Sequence, residues 1–179
     1  NKLCNEVSAT CLQTYILDVS SKLGDTSVIL LPTLYGTYGS GVYSDYDTVL
    51  SNIVKDWKVT TRSLEIGDIL KPISKDILNS YIIRKGLSNE VIGTINNNER
   101  VESITNKVIN RDGYFTFDNL KYNYLVTNRC YWINKEYDNN NAFAFTKADE
   151  KNSKIYKSSK NETCNVIPVI IAPKANIYE

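Results

Sequence analysis

Five short stretches in the last third of this chain constrain its fold more than anything upstream of them. Residues 114–117, 128–133, 142–146, 153–156 and 165–171 each alternate or run apolar, are rich in aromatic and β-branched side chains, and are separated by segments of Asn, Asp, Lys and Ser. Side chains along a strand point to opposite faces, so stretches of this kind bury an apolar face only by pairing into a sheet. The spacing predicts an antiparallel meander over residues 111–179, with residues 137–141 and 147–152 as turns.

Four cysteines sharpen that reading. An even number favours disulfides and an oxidising compartment, which points to an extracellular or cell-surface location. Cys130 and Cys164 fall on two strands of the predicted meander, and a bridge between them would stabilise the fold by about 3 kcal/mol through loop entropy. Cys4 and Cys11 share one face of a predicted helix, but lie roughly 10 Å apart along its axis, beyond bridging reach. Either the first turn unwinds and these two pair, or both face Cys130 and Cys164 as interlocked disulfides or a four-thiolate zinc site. The spacing lacks the C-x-x-C pattern of such zinc sites, so neither a metal nor a cofactor is assigned.

Upstream of the meander the chain reads as helices and loops. Leu3, Val7, Cys11, Tyr15, Val19 and Leu23 step by four with polar residues between them, which predicts an amphipathic helix over residues 1–24, stopped by Gly24. Residues 27–31 are a short apolar, β-prone run before Pro32 and read as a buried strand. Residues 35–43 alternate glycine with tyrosine and read as a loop whose glycines serve turns. Asp45 is placed to cap a second helix reaching about residue 54, with Tyr46, Val49, Leu50 and Ile53 on one face. A short strand over 58–62 and a third helix before Pro72 follow. Ser74 would cap a fourth helix with Ile77, Leu78, Tyr81 and Ile82 inward and Gly86 at its end; residues 87–110 read as short strands and a loop. The expected class is α+β, a single domain over residues 1–179 with an N-terminal helix and short helices packed on an antiparallel sheet.

The chain contains no histidine, which removes the usual general base near neutral pH and with it Ser-His-Asp triads, Cys-His dyads and most catalytic zinc sites. Twenty-one basic side chains against twenty acidic ones leave a net charge of +1, so no global field attracts nucleic acid or anionic lipid. The lysines at 147, 151, 154, 157 and 160 are spaced like a solvated face. No stretch of roughly 18 apolar residues could span a bilayer. Because the chain starts at Asn1 and has no methionine, an upstream signal or anchor removed by processing is expected, and any membrane contact would run through it.

Thirteen tyrosines suggest where such a protein would touch a partner, since an amphipathic ring gives contact area at low entropic cost. The candidate binding loops are Tyr35, Tyr38, Tyr43 and Tyr46 in one segment and Tyr137, Asp138, Asn139 and Asn140 in another. The leading expectation is a non-enzymatic surface protein, either a structural subunit or an adhesion module that presents exposed loops on a disulfide-stabilised scaffold, with other surface subunits, a host molecule or a glycan as partner. Its rivals are a metal-independent glycan- or small-ligand-binding module and a carboxylate-dependent glycan-active enzyme. The enzyme would draw on Glu136, Asp138, Asp45 or Asp47 and would need two acids roughly 5 to 9 Å apart across a cleft.

Cys130-Tyr131-Trp132-Ile133, followed by two short strands and Asn165-Val166-Ile167-Pro168-Val169-Ile170-Ile171, resembles the ending of a domain found on Gram-positive surface and pilin-like proteins. Upstream, Trp57-Lys58-Val59-Thr60-Thr61-Arg62-Ser63-Leu64 with Glu65-Ile66-Gly67-Asp68-Ile69 is similar to the same family's Ala-Arg-Leu plus helix segment. The resemblance spans about residues 55–177 and implies a C-type-lectin-like, formylglycine-generating-like fold. The family's arginine before the proline is Ile167 here. The calcium-lectin tripeptides and the paired catalytic cysteines have no counterpart, so neither calcium-dependent sugar binding nor that oxidation carries over. Members that begin as pilins imply a further role for the first helix, as the amphipathic half of a pilin stem in a type IV pilus.

Overall fold

The computed structural model describes residues 14–18, 27–32, 38–70, 81–84, 91–95, 114–118, 129–147 and 152–173. In chain order these form β1 (Thr14–Asp18), β2 (Ser27–Pro32), β3 (Ser40–Gly41), a 3-10 turn (Tyr43–Asp45), α1 (Tyr46–Val54), β4 (Thr60–Arg62), α2 (Ile66–Leu70), β5 (Tyr81–Arg84) and β6 (Val91–Ile95). There follow β7 (Tyr114–Asp118), β8 (Tyr131–Glu136), β9 (Asn141–Lys147), β10 (Asn152–Ser159), β11 (Cys164–Asn165) and β12 (Val169–Pro173). The class is α+β, as expected. The described strands form a six-stranded sheet ordered β3-β11-β8-β9-β10-β7, a four-stranded sheet ordered β1-β2-β12-β4, and the β5-β6 pair.

The six-stranded sheet owes its stability to two rows of side chains on opposite faces. Tyr131, Phe145 and Ile155 lie side by side in register and are all buried, with the first two rings stacked at 5.1 Å. One residue along, Trp132, Ala144 and Tyr156 make the row on the other face. Each large side chain removed from water in this way contributes about 1.5–3 kcal/mol. Ala142 and Ala144 are small where they must be, because α1 lies over them: Tyr46, Val49, Leu50 and Ile53 pack with Trp132, Ala142, Ala144, Cys164 and Val166. The face expected of α1 is therefore the one it buries.

Asp45 occupies the position before α1, but its side chain makes no capping bond. The 3-10 turn takes over that task, with the Tyr46 N–H donating to the Tyr43 carbonyl and the Asp45 N–H to Val42. Gly39 and Gly41 also differ from expectation. They are needed for proximity, since a Cβ on Gly39 would stand 2.9 Å from Val49 Cγ1 and 3.2 Å from Ile53 Cδ1, while one on Gly41 would stand 3.3 Å from Val49 Cγ2.

Three expectations are corrected. The N-terminal helix over residues 1–24 is not helical at Thr14–Asp18, which pairs antiparallel with β2 from Thr14 opposite Pro32 to Asp18 opposite Ile29. A local run of Thr, Tyr, Ile and Leu suits a strand, and the apolar β2 supplies the neighbour that the four-residue period ignored. The rest of that helix, with Cys4 and Cys11, lies outside the described residues. Tyr81–Arg84 is likewise a strand, paired with β6, where a fourth helix was expected; Ile77 and Leu78 lie outside the described residues.

Finally, the C-terminal third is only partly a meander. β8, β9 and β10 follow one another antiparallel, but the run over 165–171 splits. Cys164–Asn165 joins the six-stranded sheet, parallel to β8, and Val169–Pro173 crosses to the four-stranded sheet between β2 and β4. Pro168, which has no N–H to give a ladder, sits at the crossing.

Two further devices fasten the fold, one within the six-stranded sheet and one at the end of β4. Cys130 and Cys164 form the expected disulfide, with Cα atoms 4.9 Å apart. The Arg62 guanidinium at the end of β4 makes two 2.7 Å bonds to Asp68 of α2, whose carboxylate is 1% exposed and also accepts the Glu65 N–H at 2.9 Å. That turn is stitched to α1 and β8, because the Leu64 N–H donates to the Tyr46 hydroxyl at 3.2 Å and the Asn134 N–H to the Leu64 carbonyl at 3.0 Å.

The approach of α1 to Gly39 is directly testable. Gly39→Ala should push against Val49 and Ile53 and lower stability by about 1 kcal/mol or more, read as a lower urea midpoint with unchanged slope. The double variant Gly39→Ala/Val49→Ala should lose less than the sum of the two single variants.

Candidate functional site

The two loops singled out from the sequence meet at one place. The 3-10 turn that ends the glycine-tyrosine segment and the start of α1 contribute Tyr43, Ser44, Tyr46 and Asp47, the β8 strand and the turn after it contribute Asn134, Glu136, Asn139 and Asn140, and the end of β10 with the turn after it adds Ser159, Lys160 and Asn161. Together they line an open cleft of about 740 Å³, within the range of roughly 300–1,000 Å³ usual for small-ligand sites. Its walls are chiefly polar.

Backbone hydrogen bonds hold the three segments in place. The Tyr43 N–H donates to the Lys160 carbonyl at 3.0 Å, and the Lys160 N–H donates to the Asn140 carbonyl at 2.8 Å. Beneath them Trp132, with no exposed surface, donates its indole Nε1–H to the Gly41 carbonyl at 2.9 Å and meets the Tyr43 ring edge-on at 5.3 Å. On the far side the Val166 N–H donates to Gly39 and the Asn165 N–H to Cys130, both at 2.9 Å. The glycine-tyrosine segment is therefore fastened to the sheet at its carbonyls.

The candidate residues have unequal roles. Tyr43 is half-buried in the cleft. Its hydroxyl is pushed above the usual tyrosine range by burial first and then by Glu136 and Asp47. Tyr46 is 3% exposed, and burial pushes its hydroxyl up to about 12. It floors the cleft and holds Leu64, because the first residue of α1 faces inward. Tyr38 packs edge-on against Trp57 at 6.1 Å and does not line the cleft; burial and then Tyr131 raise its hydroxyl to about 12. Tyr137 rests on Phe143 at 5.5 Å beneath the Lys157 ammonium. Tyr35 lies outside the described residues.

Asp138 builds the turn that carries Asn139 and Asn140. Its Oδ1 accepts the N–H groups of Asn140 and Asn141, each at 2.8 Å, and the Asn141 amide at 3.0 Å. These bonds, led by the Asn141 side chain, hold the carboxyl below the usual aspartate range. Of the four acids considered for catalysis, Glu136 and Asp47 line the cleft. Glu136 is paired with Lys160, Nζ to Oε1 at 3.0 Å, and Asp45 accepts the Ser44 hydroxyl at 3.5 Å.

Sequence reasoning missed Asn134 and the 159–161 turn. The polar run Ser159-Lys160-Asn161-Glu162-Thr163 before Cys164 was a usable signal, since it separates two strand-like stretches. The lysine face is also less solvated than expected. Lys154 lies 5.1 Å from the Tyr156 ring centroid and 5.8 Å from that of Tyr114, and Lys160 lies 5.8 Å from that of Tyr43, as cation-π attraction favours.

Among the described residues no group of three or more acids or cysteines gathers to hold a metal ion, and no helix is long and apolar enough to cross a membrane. No family model matches the chain, and neither a curated protein nor a solved structure shows significant similarity to it.

Two outcomes follow. Trp132→Phe keeps the ring edge but leaves the Gly41 carbonyl without its donor, so stability should fall by about 1–3 kcal/mol in a denaturant titration. For Asp138, a depressed folded pKa means its stabilising bonds are complete above the ordinary aspartate value and are lost as the pH falls through the folded one. In an NMR acid titration the Asn140 and Asn141 amides should shift with a midpoint below that of an unstructured aspartate, and Asp138→Asn should abolish the step. A midpoint at the ordinary value would contradict the turn.

Proposed function

We propose that this chain is a non-enzymatic extracellular surface protein that works as an adhesion module, presenting the cleft between its loops to a partner molecule. The observation that carries this reading is the convergence of two loops, distant in sequence and rich in tyrosine and asparagine, on one open polar cleft fastened to the six-stranded sheet. Loops on a rigid scaffold are where binding residues concentrate. The Cys130–Cys164 bridge fits an oxidising, extracellular setting.

A binding role agrees better with the side chains than the carboxylate enzyme does. Asp138 is committed to its own turn and Glu136 to Lys160, so both acids serve contacts within the scaffold. An adhesion module also agrees better than a pilus stem, because Thr14–Asp18 is strand where the stem helix would run. The C-type-lectin-like family remains part of the proposal on the residues quoted for it.

Beads coated with the purified protein should adhere to host cells or extracellular matrix, and the Asn139→Ala/Asn140→Ala double variant should remove that adhesion without lowering the melting temperature. Turnover of a glycan substrate that disappears in Glu136→Gln would overturn the reading in favour of an enzyme.

A further inference from the structure

Three asparagine side chains stand together on the rim of the cleft. Asn139, Asn140 and Asn161 are exposed, line the cleft and make no side-chain hydrogen bond among the described residues. Their backbones are nonetheless held, Asn139 and Asn140 within the turn clamped by Asp138, and Asn161 by the Ser159 hydroxyl at 3.3 Å. Amides on a fixed backbone lose less entropy when a ligand engages them.

Charge narrows what that ligand is. Among the described residues Lys160 is the cation lining the cleft, and its ammonium is already spent on Glu136. Asp47 is exposed and makes no ion pair or hydrogen bond among those residues. A phosphate, sulfate or carboxylate entering the cleft would meet uncompensated negative charge.

A carboxamide pairs one acceptor with a two-hydrogen donor, which matches neighbouring hydroxyls that each give and receive a hydrogen bond. The free Asp47 carboxylate adds acceptors. The half-buried Tyr43 lines the cleft as well, with Trp132 edge-on at 5.3 Å and the Lys160 ammonium 5.8 Å from its ring centroid, so its ring adds a partly covered aromatic wall. The cleft's volume of about 740 Å³ suits more than one ring.

We infer that the cleft is a calcium-independent site for neutral oligosaccharides, read by Asn139, Asn140 and Asn161 and closed to anionic glycans by Asp47 and the Glu136–Lys160 pair. The inference rests on the adhesion reading above and names its ligand class.

An array of neutral, sialylated and sulfated oligosaccharides, probed with the intact protein in EDTA, tests it. Neutral oligosaccharides should bind, and both Asn139→Ala/Asn140→Ala and Asn161→Ala should weaken them by about tenfold or more with unchanged melting temperature. Glu136→Gln frees the Lys160 ammonium, so the same array should then show raised sialylated and sulfated signals. Preference for anionic glycans in the unaltered protein, calcium dependence, neutral binding indifferent to the asparagine variants, or no anionic gain in Glu136→Gln would each overturn the inference. Asparagine-dependent adhesion to cells without any neutral-glycan binding would overturn it and leave the adhesion reading standing; loss of both would end both.

Discussion

Trp132 is sealed inside the protein with a donor that has to be satisfied there, and the acceptor it finds is the Gly41 carbonyl. An indole without a partner would carry the desolvation cost of a buried N–H, so the glycine-tyrosine segment cannot drift away from β8 without exposing that cost. Much else in the structure follows from this one bond. Gly41 pairs with Cys164, Cys164 is bridged to Cys130, and Cys130 precedes the strand that carries Trp132. The loop, the edge strand and the sheet thus close a cycle of contacts in which each bond shortens the reach of the next.

The same constraint shapes the cleft. A segment tied down at Gly39 and Gly41 delivers Tyr43 to the carbonyl of Lys160, and Lys160 in turn holds Asn140. Three turns that share no sequence neighbourhood become one wall. Lysines on tyrosine rings reinforce it, since an ammonium over a ring face needs less water and leaves the ring half-covered. The acids that looked most like catalytic candidates are drawn into this scaffold: Asp138 as the organiser of a turn and Glu136 as the partner of Lys160.

Some of this was legible from residue order. The alternating stretches after residue 114 announced strands because side chains in a strand point two ways, and the Cys130–Cys164 bridge followed from two cysteines set on such stretches. α1 was legible from Tyr46, Val49, Leu50 and Ile53 at helical spacing. Where the period misled, at Thr14–Asp18 and Tyr81–Arg84, short runs of residues suited to either state were decided by a partner strand that lies elsewhere in the chain. Gly39 and Gly41 were visible but read as turn glycines, whereas they stand against Val49 and Ile53, a nearness that no local pattern contains.

By itself the sequence determined the class of the protein and its chemical repertoire: an α+β chain with no imidazole, balanced charge, a cysteine pair on two strands, and loops rich in tyrosine and asparagine. Only the tertiary structure decided which of those loops meet, that Tyr46 holds Leu64 and Asp138 its own turn, that Asn134 and the 159–161 turn belong to the cleft, and that residues 165–171 serve two different sheets. The physical reason is that periodicity and composition report what each segment needs to bury or bond, whereas the identity of the partner depends on long-range pairing across the sheets.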